Sequence, residues 1–150
     1  MSFNHIRDVF YLARRYHIGI RTTLEDLETQ VHDPFLHDVV DRLKRHETYL
    51  ARAIGAIEAR EPEAVLGLEF NQDSPGRDLD GVLGRQRPPR NDPDDLVRFC
   101  LELDRSLIGF YEGMVERPLP PVILHLFREM LRLESLERDR VQAWMGPVKA

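Results

Sequence analysis

Along most of the chain the apolar residues recur at alternating steps of three and four, the spacing of one buried stripe on a helix. The first stripe reads Ile6, Phe10, Ala13, His17, Ile20, Leu24, Leu27 and Val31, and it predicts a helix over residues 3–31 in which His17 is the one polar member. The pattern breaks at His32-Asp33-Pro34, where Asp33 is placed to cap a helix whose first turn accepts the proline. A second stripe of Leu36, Val40, Leu43, Glu47, Leu50, Ile54 and Ile57 predicts a helix over 35–59, with Glu47 its polar exception.

From residue 60 to 92 the periodicity is lost. Pro62, Pro75, Pro88 and Pro89 are interspersed with Gly67, Gly76, Gly81 and Gly84, and only a short apolar patch around Val65 to Phe70 interrupts them. This stretch reads as a connector. A helix of about 25 residues is about 38 Å long, and a connector of roughly 30 residues crosses that distance with ease.

Asn91-Asp92-Pro93 then offers a cap and a proline in the first turn, and Val97, Cys100, Asp104, Leu107, Tyr111 and Met114 predict a third helix over 93–116. Its polar exception is Asp104. Beyond Pro118, Pro120 and Pro121 the fourth stripe reads Ile123, Phe127, Met130, Glu134, Glu137, Val141 and Trp144, over 121–144, and two neighbouring members are acidic. Displacing the first helical pair by 87 residues overlays it on the second without a gap: Pro34 falls on Pro121, Leu43 on Met130, Glu47 on Glu134 and His17 on Asp104. The expectation is an all-α protein, a four-helix bundle built from two antiparallel hairpins joined by a long crossover connection, forming one domain over 1–150.

Composition narrows the function classes. The chain has 150 residues and a formal charge of −5, so it lacks the general positive field that draws proteins to nucleic acid or anionic lipid. Neither nucleic acid nor membrane is expected as a partner. The lone cysteine, Cys100, sits in an apolar run and reads as a small core side chain. No apolar stretch resembles a leader or a membrane span, and the expected location is the cytoplasm. The glycines at 76, 81 and 84 lack the Lys-Ser/Thr ending of a phosphate-binding loop. The other histidines, His5, His32, His37, His46 and His125, fall off the stripes or at helix ends and read as surface or loop residues.

His17, Glu47, Asp104, Glu134 and Glu137 are five ionisable residues at positions where the pattern demands burial, at similar heights near the bundle middle, and every helix contributes at least one. Four carboxylates do not share a dry core as bare anions. A bound cation, shared protons, a protonated His17 or a wet core would each compensate them. Oxygen donors with one imidazole suit iron or manganese. His17 against Glu47 also reads as a structural ion pair, and an error of one helical position would put Glu137 in water. Tyr111, on the Asp104 stripe, places a phenol beside the carboxylates or a polar tip on a core residue.

A Glu on the first helix of each hairpin and Glu-x-x-His on the second are the ligands of the ferritin-like di-iron carboxylate bundles, including the rubrerythrins, which this pattern resembles. By position Glu47 and Glu134 match the Glu of each Glu-x-x-His, whereas His17 and Asp104 replace the first-helix Glu, and Leu50 and Glu137 replace each His. The resemblance covers both hairpins but not the connector. It implies one or two iron or manganese ions at a non-standard site and oxidoreductase or peroxide- and oxygen-handling chemistry. The competing reading is a non-catalytic helical scaffold that has lost its metal. Finally, Leu96, Phe99, Leu103 and Phe110 form a second apolar stripe on helix three, which either the crossover or a second subunit covers, and a homodimer is the expected cover.

Overall fold

A computed structural model of the chain describes residues 2–73, 79, 81, 83, 84 and 87–145. In chain order its elements are β1 (Ser2–His5), α1 (Ile6–Glu28), α2 (Pro34–Arg60), α3 (Glu63–Leu66), β2 (Glu69–Asp73), α4 (Pro93–Val115) and α5 (Pro121–Gln142), closed by a 3-10 turn at Ala143–Met145. The protein is all-α in its framework. Four long helices carry the core, and the two strands form a small antiparallel ribbon that pairs Ser2 with Asp73 and Phe3 with Gln72.

Local chemistry explains where the long helices begin. Asp33 accepts from the backbone N–H groups of Phe35 and Leu36, and Asp92 from that of Asp94, each directly ahead of a proline in the first turn. The first helix starts at Ile6 and not at residue 3, because the backbone N–H of His5 donates to the Asp8 carboxylate at 2.9 Å and the residues before it extend into β1. The connector is also more structured than its prolines and glycines suggest. It holds α3 and β2, the backbone N–H of Ile6 donates to the carbonyl of Leu68 at 3.1 Å, and Leu79 is buried in the core. Connector residues 74–78, 80, 82, 85 and 86 lie outside the described residues. Gly19, in the middle of α1, is where Leu83 meets that helix; a Cβ there would collide with the leucine side chain.

The helices associate mainly as α1 with α2 and α4 with α5, and α2 also packs on α4 and α5. Each pair runs antiparallel. Arg14 pairs with Glu58 at 3.1 Å while Glu28, further along α1, reaches back to Lys44 at 3.0 Å. In the second pair Phe110 stacks edge-on against Phe127, and Tyr111, beside it, reaches both Phe127 and Glu134. Arg60 on α2 pairs with Glu129 on α5 across the two halves. No helix among the described residues is long and apolar enough to cross a membrane.

On the second stripe of α4, Leu96, Leu103 and Phe110 are buried within one chain and Phe99 is half-buried. Cys100 is fully buried as well, and burial, reinforced by Glu47 and Asp104, pushes its thiol well above the ordinary value, which leaves it an inert core side chain. A hydrogen bond ties α1 to α4 through the apolar core: the Tyr16 hydroxyl donates to the carbonyl of Leu103 at 2.6 Å. Since that carbonyl also belongs to the helical ladder, Tyr16→Phe should cost about 1 kcal/mol. A lowered urea midpoint at unchanged slope would report this, and an unchanged midpoint would show that the bond contributes nothing.

Candidate metal centre

Halfway along the four helices the apolar core is interrupted by a cluster of six ionisable side chains: His17 from α1, His46 and Glu47 from α2, Asp104 from α4, and Glu134 and Glu137 from α5. All are buried. His17 is the centre. Its Nδ1 lies 2.6 Å from Glu47 Oε1 and its Nε2 lies 2.6 Å from Glu134 Oε2, while Asp104 Oδ1 stands 3.7 Å from Nδ1. A neutral imidazole has only one N–H, so two such contacts require either an imidazolium or a protonated carboxyl group.

A second tier is built on His46. Its Nε2 faces Asp104 Oδ2 at 3.0 Å and Glu47 Oε2 at 3.4 Å, and its Nδ1 faces Glu137 Oε2 at 3.4 Å. The other oxygen of Glu137 accepts from Arg140 at 2.8 Å, so the cluster has one end at the protein surface. At the opposite end the Tyr111 hydroxyl donates to Glu134 Oε2 at 3.5 Å.

All five residues singled out from the sequence are brought together, and Glu137 does not face water. His46 corrects the reading of that residue as surface or loop. A signal for it existed: Val39, Leu43, His46 and Leu50 follow steps of four, three and four as regularly as the stripe through Glu47. Because α2 packs against α1, α4 and α5, its buried face is wide enough for both stripes. Leu50 is buried and supplies no ligand; the second imidazole comes instead from His46.

The electrostatics follow from burial. Desolvation works against charge on both histidines, yet the carboxylates prevail: Glu134 and Glu47 hold His17 well above its ordinary value, and Asp104 with Glu47 raises His46 to about 9. Burial and the neighbouring Asp104 push Glu47 up to about 7 against the pull of His17 and His46. Burial raises Glu134 too, in opposition to His17. The Tyr111 phenol is driven upward by burial and by Glu134, so it stays a neutral donor.

The internal pairing is incomplete. Among the described residues Glu47 Oε2, Asp104 Oδ1 and Glu134 Oε1 are buried oxygens without a hydrogen bond; Glu47 Oε2 has only its 3.4 Å ionic contact with His46 and Asp104 Oδ1 only its 3.7 Å contact with His17. Orphaned acceptors of this kind are costly and uncommon. A cation is one means of satisfying them. His17, Glu47 and Asp104 each offer a donor atom within 4.8 Å of the others. Donors about 2.1 Å from one ion stand at most about 4.2 Å apart, so a small inward movement would close the shell.

Compared with known proteins, the chain matches no family model, no curated protein and no solved structure.

Two expected outcomes follow from this geometry. Groups whose folded pKa is raised contribute stability that is present below the unfolded value and lost as pH climbs through the folded one. His46 and Glu47 both act in that direction, so the metal-free protein should unfold at lower urea at about pH 9 than at about pH 6. An equal or higher midpoint at the upper pH would contradict the proton-sharing network. Second, His17→Phe leaves Glu47 and Glu134 without their counter-charge and should cost about 3–5 kcal/mol, whereas leucine at 17, 47 and 134 together should be close to neutral. Equilibrium unfolding of the two variants distinguishes these, and a small loss in the single variant would show that water already enters the cluster.

Proposed function

We propose that this chain is a ferritin-like metal protein: a four-helix bundle of two antiparallel hairpins with a long crossover, whose buried cluster holds a divalent cation. The observation that carries the reading is the set of three buried carboxylate oxygens that make no hydrogen bond, Glu47 Oε2, Asp104 Oδ1 and Glu134 Oε1, around His17. An all-carboxylate and imidazole donor set is hard to borderline, which favours iron(II) or manganese(II) over soft metals. Glu47, Asp104 and His17 would hold a first ion, and Glu134, with His46 and Glu137, a second or the remainder of the first shell. When bound, such an ion supplies one-electron redox and oxygen or peroxide chemistry. The chain's own residues keep water from the centre, and Tyr111 holds a proton beside Glu134. Oxidoreductase activity is part of the proposal through the resemblance alone.

One observation favours the competing reading of a scaffold that has lost its metal. His17 already spans Glu47 and Glu134 at 2.6 Å on both sides, a complete structural ion pair that needs no cation to explain it. The two readings differ in how affinity responds to pH and ligand removal. Metal binding must displace the protons on His17 and His46, so affinity should rise with pH while metal-free stability falls. Elemental analysis of untagged protein reconstituted anaerobically with ferrous iron should find about one to two ions per chain, lost in the Glu47→Ala, Glu134→Ala double variant. Absence of metal from the parent, together with a double variant at least as stable as the parent, would reject the metal reading and leave the scaffold.

A further inference from the structure

The charged cluster reaches the surface at His46 and Glu137. There α2 and α5 leave a cleft of about 320 Å³ with His46 and Glu137 at its floor. Its walls are two matched helical stripes. Arg42, Arg45, His46 and Tyr49 lie at steps of three, one and three on α2, and Glu137, Arg140 and Trp144 at steps of three and four across α5 and the turn that follows it. Three arginines thus line one cleft with a single carboxylate, Glu137, which Arg140 contacts, in a chain whose overall charge is −5.

Each arginine is held in place without being consumed. Arg42 lies over the Trp144 ring, 4.5 Å from its centroid; Arg45 pairs with Asp41 at 2.9 Å; Arg140 pairs with Glu137 at 2.8 Å. A guanidinium carries five N–H donors in a planar fork, so one exposed ion pair or one stacked face leaves others free for a second oxyanion. Tyr49, 48% exposed, and the half-buried Trp144 add flat apolar surface beside these donors. The volume is near the lower end for small-molecule sites, which sets the scale at a compact metabolite.

The internal repeat distinguishes this face from its counterpart. Displacing His46 by 87 residues gives Leu133, and Glu137 stands where the first half has Leu50. The equivalent face on the other side of the repeat therefore carries two leucines where this one carries an imidazole and a carboxylate. An arginine-lined polar face present at one of two repeat-related positions, with residues from both α2 and α5, is a departure from the repeat.

We propose that the Arg42, Arg45 and Arg140 cleft is a binding site for a small planar organic carboxylate, its carboxylate on the arginines and its flat body against Tyr49 and Trp144. Such a ligand sits at the outer end of the Arg140, Glu137, His46 and Asp104 chain, and by competing for Arg140 it frees one oxygen of Glu137. The site goes beyond the metal reading and does not depend on it.

Trp144 is the only tryptophan, so its fluorescence reports on this cleft directly. The metal-free protein is titrated with benzoate, with benzyl alcohol as the uncharged ring and with inorganic phosphate as charge without a ring, all at matched ionic strength. Benzoate should give a saturable change, with either analogue about tenfold weaker or more. Arg45→Gln, Arg140→Gln should abolish the preference for benzoate; both side chains are 70% exposed, so the fold is not at stake. Glu47→Gln, Glu134→Gln should keep benzoate binding within about twofold even where metal is lost, which separates failure of this site from failure of the metal centre. Benzoate binding no tighter than benzyl alcohol, saturation by phosphate alone, or an unchanged response in the double-arginine variant each overturns the proposal.

Discussion

The constraint on which this protein turns is the burial of four carboxylates in the middle of a helical core. Such charge is tolerated only when it is matched, and the match is built around one imidazole: His17, held at 2.6 Å on both ring nitrogens between Glu47 and Glu134. Because those three residues come from α1, α2 and α5, the requirement to meet also sets the heights at which the helices pack. His46 adds a second counter-charge from α2 toward Asp104 and Glu137, so all four long helices are tied to one polar point. Apolar burial stabilises the helices as a group, and the polar cluster decides which register among many they adopt.

The same cluster links stability to chemistry. Protons on His17, His46 and Glu47 neutralise the centre when nothing else does, and a cation would take their place at the cost of releasing them. Orphaned oxygens on Glu47, Asp104 and Glu134 mark where the proton-based solution is incomplete. A purely structural network of this size would be expected to satisfy its own acceptors, since half-satisfied buried networks are less favourable than apolar packing.

The 87-residue correspondence between the two helical pairs runs through much of this geometry. Glu47 and Glu134, equivalent under the 87-residue repeat, occupy the two sides of one histidine, and the equivalent pair His17 and Asp104 meet at 3.7 Å near the centre. Tyr16 and Leu103, also equivalent, are joined by a hydrogen bond. Residues close to a pseudo-twofold axis meet their own counterparts, which is why these contacts recur among positions separated by the repeat length. Away from the axis the halves diverge, and His46 with Glu137 opens one face toward the arginine-lined cleft.

The four helical stripes, their caps at Asp33 and Asp92, and the five misplaced polar residues were all legible in the linear pattern, because a period of three to four residues and a proline in the first turn are local properties. The strand before α1 and the burial of His46 were not. Each depends on which neighbours surround a helix, and a stripe two residues wide looks the same whether its second column meets water or another helix. His46 is buried on α2, which packs against three other long helices, whereas the His125 side chain on α5 is 77% exposed. A periodic sequence specifies the direction of a helix's buried face; how wide that face becomes depends on how many helices pack around it.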